Sequence, residues 1–205
     1  IFRIMSQTKA ITSLAIMQLF EQGKLDLDQK VSDFIPEFKN PTVVKEFNAK
    51  DSTFTTIPAT REVRIRDLLT HTSGIDYSDI GSEQMKAIYA KNNIPSGLGE
   101  FKASLLDRMK ALGKLPLAHQ PGEKFTYGLN SDLLGCLVEV ISGETLEQYF
   151  HKHIFEPLGM KDTYFNLPAE KANRLAGVYT ENEQKQMIPW GPTYRRSEEH
   201  TSELQ

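Results

Sequence analysis

Cysteine is nearly absent. The 205 residues hold one, Cys136, so no intramolecular disulfide framework can form. Long apolar runs are absent too, and none approaches the roughly 18 residues that a membrane-spanning helix needs. There is no excess of positive charge. The 24 Lys and Arg stand against 27 Asp and Glu, a net charge of −3, which argues against the basic surface that a nucleic-acid-binding protein uses to neutralise phosphates. No Gly-rich phosphate loop, dinucleotide fingerprint or Gly-x-Ser-x-Gly elbow occurs. His151 and His153 are two apart, which is not the His-Glu-x-x-His zinc spacing. Positions two apart on a helix do not share a face, so both read as surface residues and no metal is expected. What remains is ordinary globular composition, 39% apolar and 25% charged, with no repeat and a length suited to one domain or part of a larger one.

The two ends are unusual. The chain opens Ile1-Phe2-Arg3-Ile4 with no initiator Met and no basic-then-apolar leader. It reads as a cut through a longer protein. The last ten residues, Arg196 to Gln205, are polar, lack a core period and resemble a translated sequencing adapter. They are read as non-native, which leaves residues 1–195 as one partial domain with 23 basic against 24 acidic residues.

Periodicity predicts a helix over Ser6–Gly23, with Ile11, Leu14, Ala15 and Leu19 on one stripe and Gly23 as its stop. A turn-rich stretch follows. Pro41–Ala59 reads as a loop with short strands, and a helix is expected at Arg66–Thr70. Further helices are expected at Ser82–Asn92, Gly99–Leu112, Asn130–Ser142 and Leu146–Ile154. Thr163–Phe165 and Leu175–Thr180 look strand-like. Cys136, inside the run Leu134–Val138, is expected to be a small buried hydrophobe.

Two local patterns carry chemistry. Ser6-Gln7-Thr8-Lys9 opens an amphipathic helix, and residues three apart share a face. A serine hydroxyl and a lysine amine are thus held side by side at a helix start. There, unpaired amides and the helix dipole stabilise an oxyanion, and a desolvated lysine acts as a base. Taken alone, the pair equally fits a helix cap beside an exposed lysine. The second pattern is Pro121-Gly122-Glu123-Lys124-Phe125-Thr126-Tyr127, a turn ending in a tyrosine just before a helix. A phenol beside a lysine relays protons, although such a tyrosine also fits simple packing.

Together with Leu68-Leu69-Thr70-His71-Thr72-Ser73-Gly74-Ile75 and Ile154-Phe155-Glu156-Pro157-Leu158-Gly159-Met160, these stretches stand in an order that resembles the serine beta-lactamase-like hydrolases. That group includes class C beta-lactamases, family VIII carboxylesterases and DD-peptidases. The resemblance implies an α/β (α+β) beta-lactamase/transpeptidase-like fold, of which this chain carries mainly the helical part with the sheet incomplete. It implies Ser6 as the acyl-forming nucleophile, Lys9 as its base and Tyr127 as the second proton-transfer residue. His71 and Ser73 belong to a structural signature. In class C enzymes an asparagine two residues after the tyrosine contacts the substrate amide. Here that position is Leu129, and the asparagine follows as Asn130, the substrate-binding candidate. This departure favours the esterase branch. A rival register reads Ser131-Asp132-Leu133 as a Ser-Asp-Asn motif, with the third residue wrong. The late Lys-Thr-Gly or His-x-Gly motif does not occur.

The resemblance therefore implies hydrolysis of a small-molecule ester, or of a beta-lactam or peptidoglycan-like peptide. No cofactor and no nucleic-acid partner are implied, and relatives of this kind are often exported to the periplasm. The rival expectations are a penicillin-binding sensor that acylates without turnover, and an inert piece lacking half its sheet.

Overall fold

The computed structural model describes residues 1–96 and 103–189. A tight turn at Met5–Gln7 leads into helix α1, Thr8–Glu21. Thr12, Ala15, Ile16 and Leu19 of α1 are buried. Ala15 and Leu19 match the expected stripe, whereas Leu14 is exposed and Thr12 and Ile16 face the core instead. The helix packs against α5, Asn130–Ser142. α1 ends as the sequence suggests. Gly23 takes φ +68, its N–H donates to the Phe20 carbonyl, and the Lys24 N–H donates to the Leu19 carbonyl. This closure needs a left-handed residue that glycine adopts without strain.

Strands β1 (Thr42–Asn48) and β2 (Thr53–Pro58) pair as an antiparallel hairpin, with an irregularity between Val44 and Glu46. The stretch expected as a loop with short strands is thus a two-stranded hairpin. Val43 is its buried residue, and all of β2 is exposed. Leu117 anchors it, its N–H donating to Thr42 and its carbonyl accepting from Val44. Four helices follow in the first half of the fold's remainder: α2 (Ile65–Leu69), α3 (Glu83–Lys91), α4 (Leu105–Gly113) and α5. All lie close to their expected places. The first residues of the Gly99–Leu112 expectation, up to 102, lie outside the described residues, and Ser104 caps the helix by accepting from the Asp107 N–H.

Three expectations need correction. The helix expected over Leu146–Ile154 is α-helical only in α6, Leu146–Phe150. A wider turn at His151–Phe155 follows, closed by the Glu156 N–H on the His151 carbonyl. The extra residue in that turn lets both Ile154 and Phe155 reach the core. Thr163–Phe165 forms no strand. Phe165 packs on Phe150, while Asp162 beside it is held by Lys171 and Arg174, so side-chain ties shape a loop. In Leu175–Thr180, only Tyr179 and Thr180 are in a strand, β3 (Tyr179–Glu181), paired antiparallel with β4 (Met187–Pro189). Two small antiparallel hairpins are the sheets of the described residues. No helix among them is long and apolar enough to cross a membrane. Residues 190–205, including the adapter-like segment, lie outside the described residues.

One ion pair fixes the start of α2. Asp67 is buried and takes both guanidinium nitrogens of Arg61, at 2.6 and 2.9 Å, and the Arg64 N–H at 2.9 Å. Asp67→Asn leaves Arg61 without its counter-charge. Breaking such a buried pair costs about 3 kcal/mol, which urea unfolding of the variant will show as a lower midpoint. Cys136 is fully buried, and burial, aided by nearby Glu139, pushes its thiol up to about 12. The native protein is therefore expected to resist thiol-directed reagents at mildly alkaline pH and to react with one equivalent after denaturation. Fast labelling of the native protein would contradict this burial.

Candidate active site

Ser6 sits in the tight turn that feeds α1, where the Gln7 N–H donates to the Ile4 carbonyl and the Thr8 N–H to the Met5 carbonyl. Met5, just before it, takes φ +47. A non-glycine residue there is strained, and such strain gathers where a side chain must be aimed. Lys9 lies one turn on, its Nζ 3.3 Å from Ser6 Oγ. The spacing read from sequence thus becomes a contact.

Tyr127 arrives from a distant part of the chain. Its hydroxyl is 2.7 Å from Ser6 Oγ across 121 positions. The Lys9 ammonium lies 4.8 Å from the Tyr127 ring centre and 6.0 Å from that of Tyr77. Burial alone would raise the Tyr127 phenol, but the hydrogen bonds from Lys9 and Ser6 and the Lys9 charge together outweigh it. The phenol is held below its ordinary range.

The backbone explains how Tyr127 gets there. The segment before α5 is laced to the turn 71–76. The Thr126 N–H donates to the His71 carbonyl, the Gly122 N–H to Thr72 and the Ala118 N–H to Gly74. Gly128 permits the closest approach, since a β-carbon there would lie 2.1 Å from the Ile75 carbonyl oxygen. His119 adds a side-chain tie. Its Nδ1 lies 2.9 Å from the Gln120 carbonyl, which only accepts, so Nε2 accepts from the Thr126 hydroxyl at 2.8 Å.

Asn130 does not match its expected role at the substrate. It is completely buried below the site. Its Oδ1 accepts from the Ser73 hydroxyl, and its Nδ2 is 3.0 Å from His71 Nδ1. Both ends of the side chain are thus engaged in the interior. Its place at the first position of α5 makes it the clasp between that helix and the turn 71–76. Ser73, also buried, accepts from the Ile75 N–H, as suits a structural signature residue. The His71 ring is stacked on Tyr127, with centres 5.2 Å apart and planes 23° apart. The sequence hinted at this only through an asparagine at a helix start.

Ser6, Lys9 and Tyr127 border a cleft of about 250 Å³ whose walls include Met5, Tyr77, Ile80, Leu105 and Leu146. It is largely apolar, with Asp79, and Asp132 of α5, as its acidic residues. Burial pushes the Asp132 carboxyl above the usual range, against the pull of Arg108 and Lys9. No cluster of three or more His, Cys, Asp or Glu suited to a metal occurs among the described residues. His151 is exposed as expected, whereas His153 is half-buried, packed on Tyr149 and 3.3 Å from Glu144.

Known proteins share this arrangement of elements. The chain is 36% identical over 187 residues to protein Rv1367c of Mycobacterium tuberculosis, covering 91% of this chain and 44% of that one. It is 35% identical over 162 residues to the lovastatin esterase of Penicillium rubens, covering 78% and 38%. Among solved structures it resembles EstCE1, a hydrolase with promiscuous acyltransferase activity. The TM-score is 0.74 at 29% identity, over 99% of this chain and 50% of that one. The chain thus spans less than half the length of these curated relatives. The family model described as Beta-lactamase matches residues 1–198. With that match over nearly its whole length, the chain belongs to the beta-lactamase family and has its beta-lactamase/transpeptidase-like fold.

Proposed function

We propose that the protein is a serine hydrolase that passes through an acyl-enzyme on Ser6, with esters as its substrates. The observation that carries this reading is the Ser6 hydroxyl held at once by Tyr127 and Lys9 at the mouth of an apolar cleft. Ser6 Oγ attacks the ester carbonyl as its proton passes to the Tyr127 phenolate. The lowered phenol gives Tyr127 the base's part that the resemblance implied for Lys9, and the Lys9 ammonium stabilises the phenolate. The new Oγ–C bond yields a tetrahedral oxyanion at the start of α1, where the helix dipole favours negative charge. The C–O bond to the leaving alcohol then breaks, and the alcohol takes the proton back from Tyr127. Water repeats the sequence and frees the acid.

Esters come first for two reasons. Leu129 stands where class C enzymes place the asparagine that contacts a substrate amide, and an apolar cleft suits an acyl chain. The likeness to a lovastatin esterase and to EstCE1 supports the same choice. Beta-lactam or peptide hydrolysis is the second reading, and acylation without turnover is the third.

The test uses the whole protein with a short-chain aryl ester and a chromogenic cephalosporin. Faster turnover of the ester is expected. Ser6→Ala should lower kcat by about 10⁴-fold or more, as removal of a nucleophile does. Tyr127→Phe should lower it by about 10²- to 10³-fold, the usual worth of a general acid–base group. Ester turnover that survives Ser6→Ala overturns the mechanism. A stable adduct on Ser6 by intact mass, without product, would instead identify the non-turnover sensor.

The pH dependence follows from the phenol. The reactive form is the deprotonated one, so activity is lost as pH falls through the Tyr127 midpoint. Because that midpoint is lowered, the acid limb of kcat/KM should lie below the ordinary phenol value of about 10. A limb at or above that value would contradict the assignment of Tyr127 as the base.

A further inference from the structure

We propose that His71 is a positioning residue for Tyr127: a neutral imidazole, locked in one tautomer by the buried Asn130 amide, whose flat face sets the plane of the phenol that bonds Ser6. The inference rests on the reading of Tyr127 as the proton-transfer group.

The tautomer follows from a chain of hydrogen bonds. Asn130 Nδ2 faces the Thr126 carbonyl at 3.5 Å, and a carbonyl only accepts. The amide nitrogen is therefore on that side, and Oδ1 faces the Ser73 hydroxyl at 2.5 Å. The same Nδ2 meets His71 Nδ1 at 3.0 Å, so Nδ1 must present a lone pair and the ring proton belongs on Nε2. An imidazolium would set an N–H against an amide N–H. Burial disfavours the charged ring further, and Lys9 of α1 repels it, so His71 is held below its ordinary range. The other groups around it are the rings of Phe125 and Tyr127. Asp132 of α5 acts on Tyr127 and is itself drawn by Lys9.

The backbone of His71 is as constrained as its ring. Its φ is +54, a left-handed conformation that few residues other than Gly, Asn, Asp and His adopt readily. Its carbonyl accepts the Thr126 N–H at 2.7 Å. Main chain and side chain thus both hold the segment that carries Tyr127. With Tyr77 tilted against the phenol at 5.4 Å, the Tyr127 ring lies between two aromatic neighbours, and its hydroxyl reaches Ser6.

Two substitutions separate the ring from the hydrogen bond. His71→Asn keeps a residue that tolerates positive φ and removes the ring. His71→Phe keeps a ring and removes the acceptor for Asn130. The readout is the ionisation of Tyr127, followed by carbon-13 NMR of the phenol and assigned by its absence in Tyr127→Phe. It needs no turnover. In His71→Asn the phenol should swing from Lys9 and Ser6, and its midpoint should move up toward that of an ordinary tyrosine. In the whole protein kcat should fall about 10-fold, with KM changed less than about twofold, the pattern of a misaligned reacting group. In His71→Phe the Tyr127 midpoint should stay near wild type while Tm falls, because a buried amide N–H has lost its partner and phenylalanine is strained at this positive φ. Nitrogen-15 shifts of wild-type His71 should report an Nε2–H ring at neutral pH.

A folded His71→Asn with an unmoved Tyr127 midpoint overturns the proposal, as does an imidazolium at neutral pH. So does an equal upward shift in His71→Phe, which would credit the hydrogen bond rather than the ring. Absence of Ser6-dependent turnover in the wild type would instead sink the hydrolase reading, while the titration still decides the role of His71.

Discussion

The packing of α1 against α5 is the constraint on which the candidate site depends. α1 carries Ser6 and Lys9 at its beginning. The segment that leads into α5 carries Tyr127. Neither element has the site by itself. Ala15, Ile16 and Leu19 from one helix and Leu133, Leu134, Leu137 and Val138 from the other are buried in the same core. A shift of α1 along α5 by one residue, about 1.5 Å, would break a 2.7 Å hydrogen bond between hydroxyls. Close packing makes such a slide costly, because an interior near crystal density has no spare volume to absorb it.

A second layer of organisation lies below that packing and is polar. Asn130, Ser73 and His119 are buried, and each makes a hydrogen bond to a neighbouring segment. A polar group buried without a partner costs far more than a satisfied one gains. The turn 71–76 and the stretch 118–130 therefore fit together in one register. The apolar core sets the distance between the helices. The polar clasp sets the direction in which Tyr127 points.

Much of this was legible in the chain. The presence of helix α1, its glycine stop and the limits of α5 follow from periodicity and from the left-handed requirement at a helix end. Ser6 and Lys9 are near in sequence, so the spacing alone predicts their contact. The meeting of Ser6 with Tyr127 is different, because no local pattern encodes a contact across 121 positions. It came from resemblance, and the geometry then supplied it. The part that sequence reading missed is the clasp. An asparagine one place after an expected ligand position invites the same role, yet both Leu129 and Asn130 lie in the interior and neither borders the cleft. The wide turn after Phe150 was missed for a related reason. An inserted residue leaves the apolar pattern of Ile154 and Phe155 intact while changing the hydrogen bonds that close it.

The separation of Ser6 from Tyr127 has a kinetic meaning. Joining two points so distant along the chain carries a loop-closure cost, and contacts of this kind form late, after nearer ones have paid for the chain's order. The nearer ones here are the turn of Ser6 with Lys9, the helices, and the hairpin of β1 and β2. The Ser6–Tyr127 hydrogen bond should therefore be among the last to form on folding and among the first lost in partial opening. Its presence is then a sensor of tertiary completion. Secondary structure can recover in refolding before this contact does, and the interval between the two measures the docking of α1 onto α5.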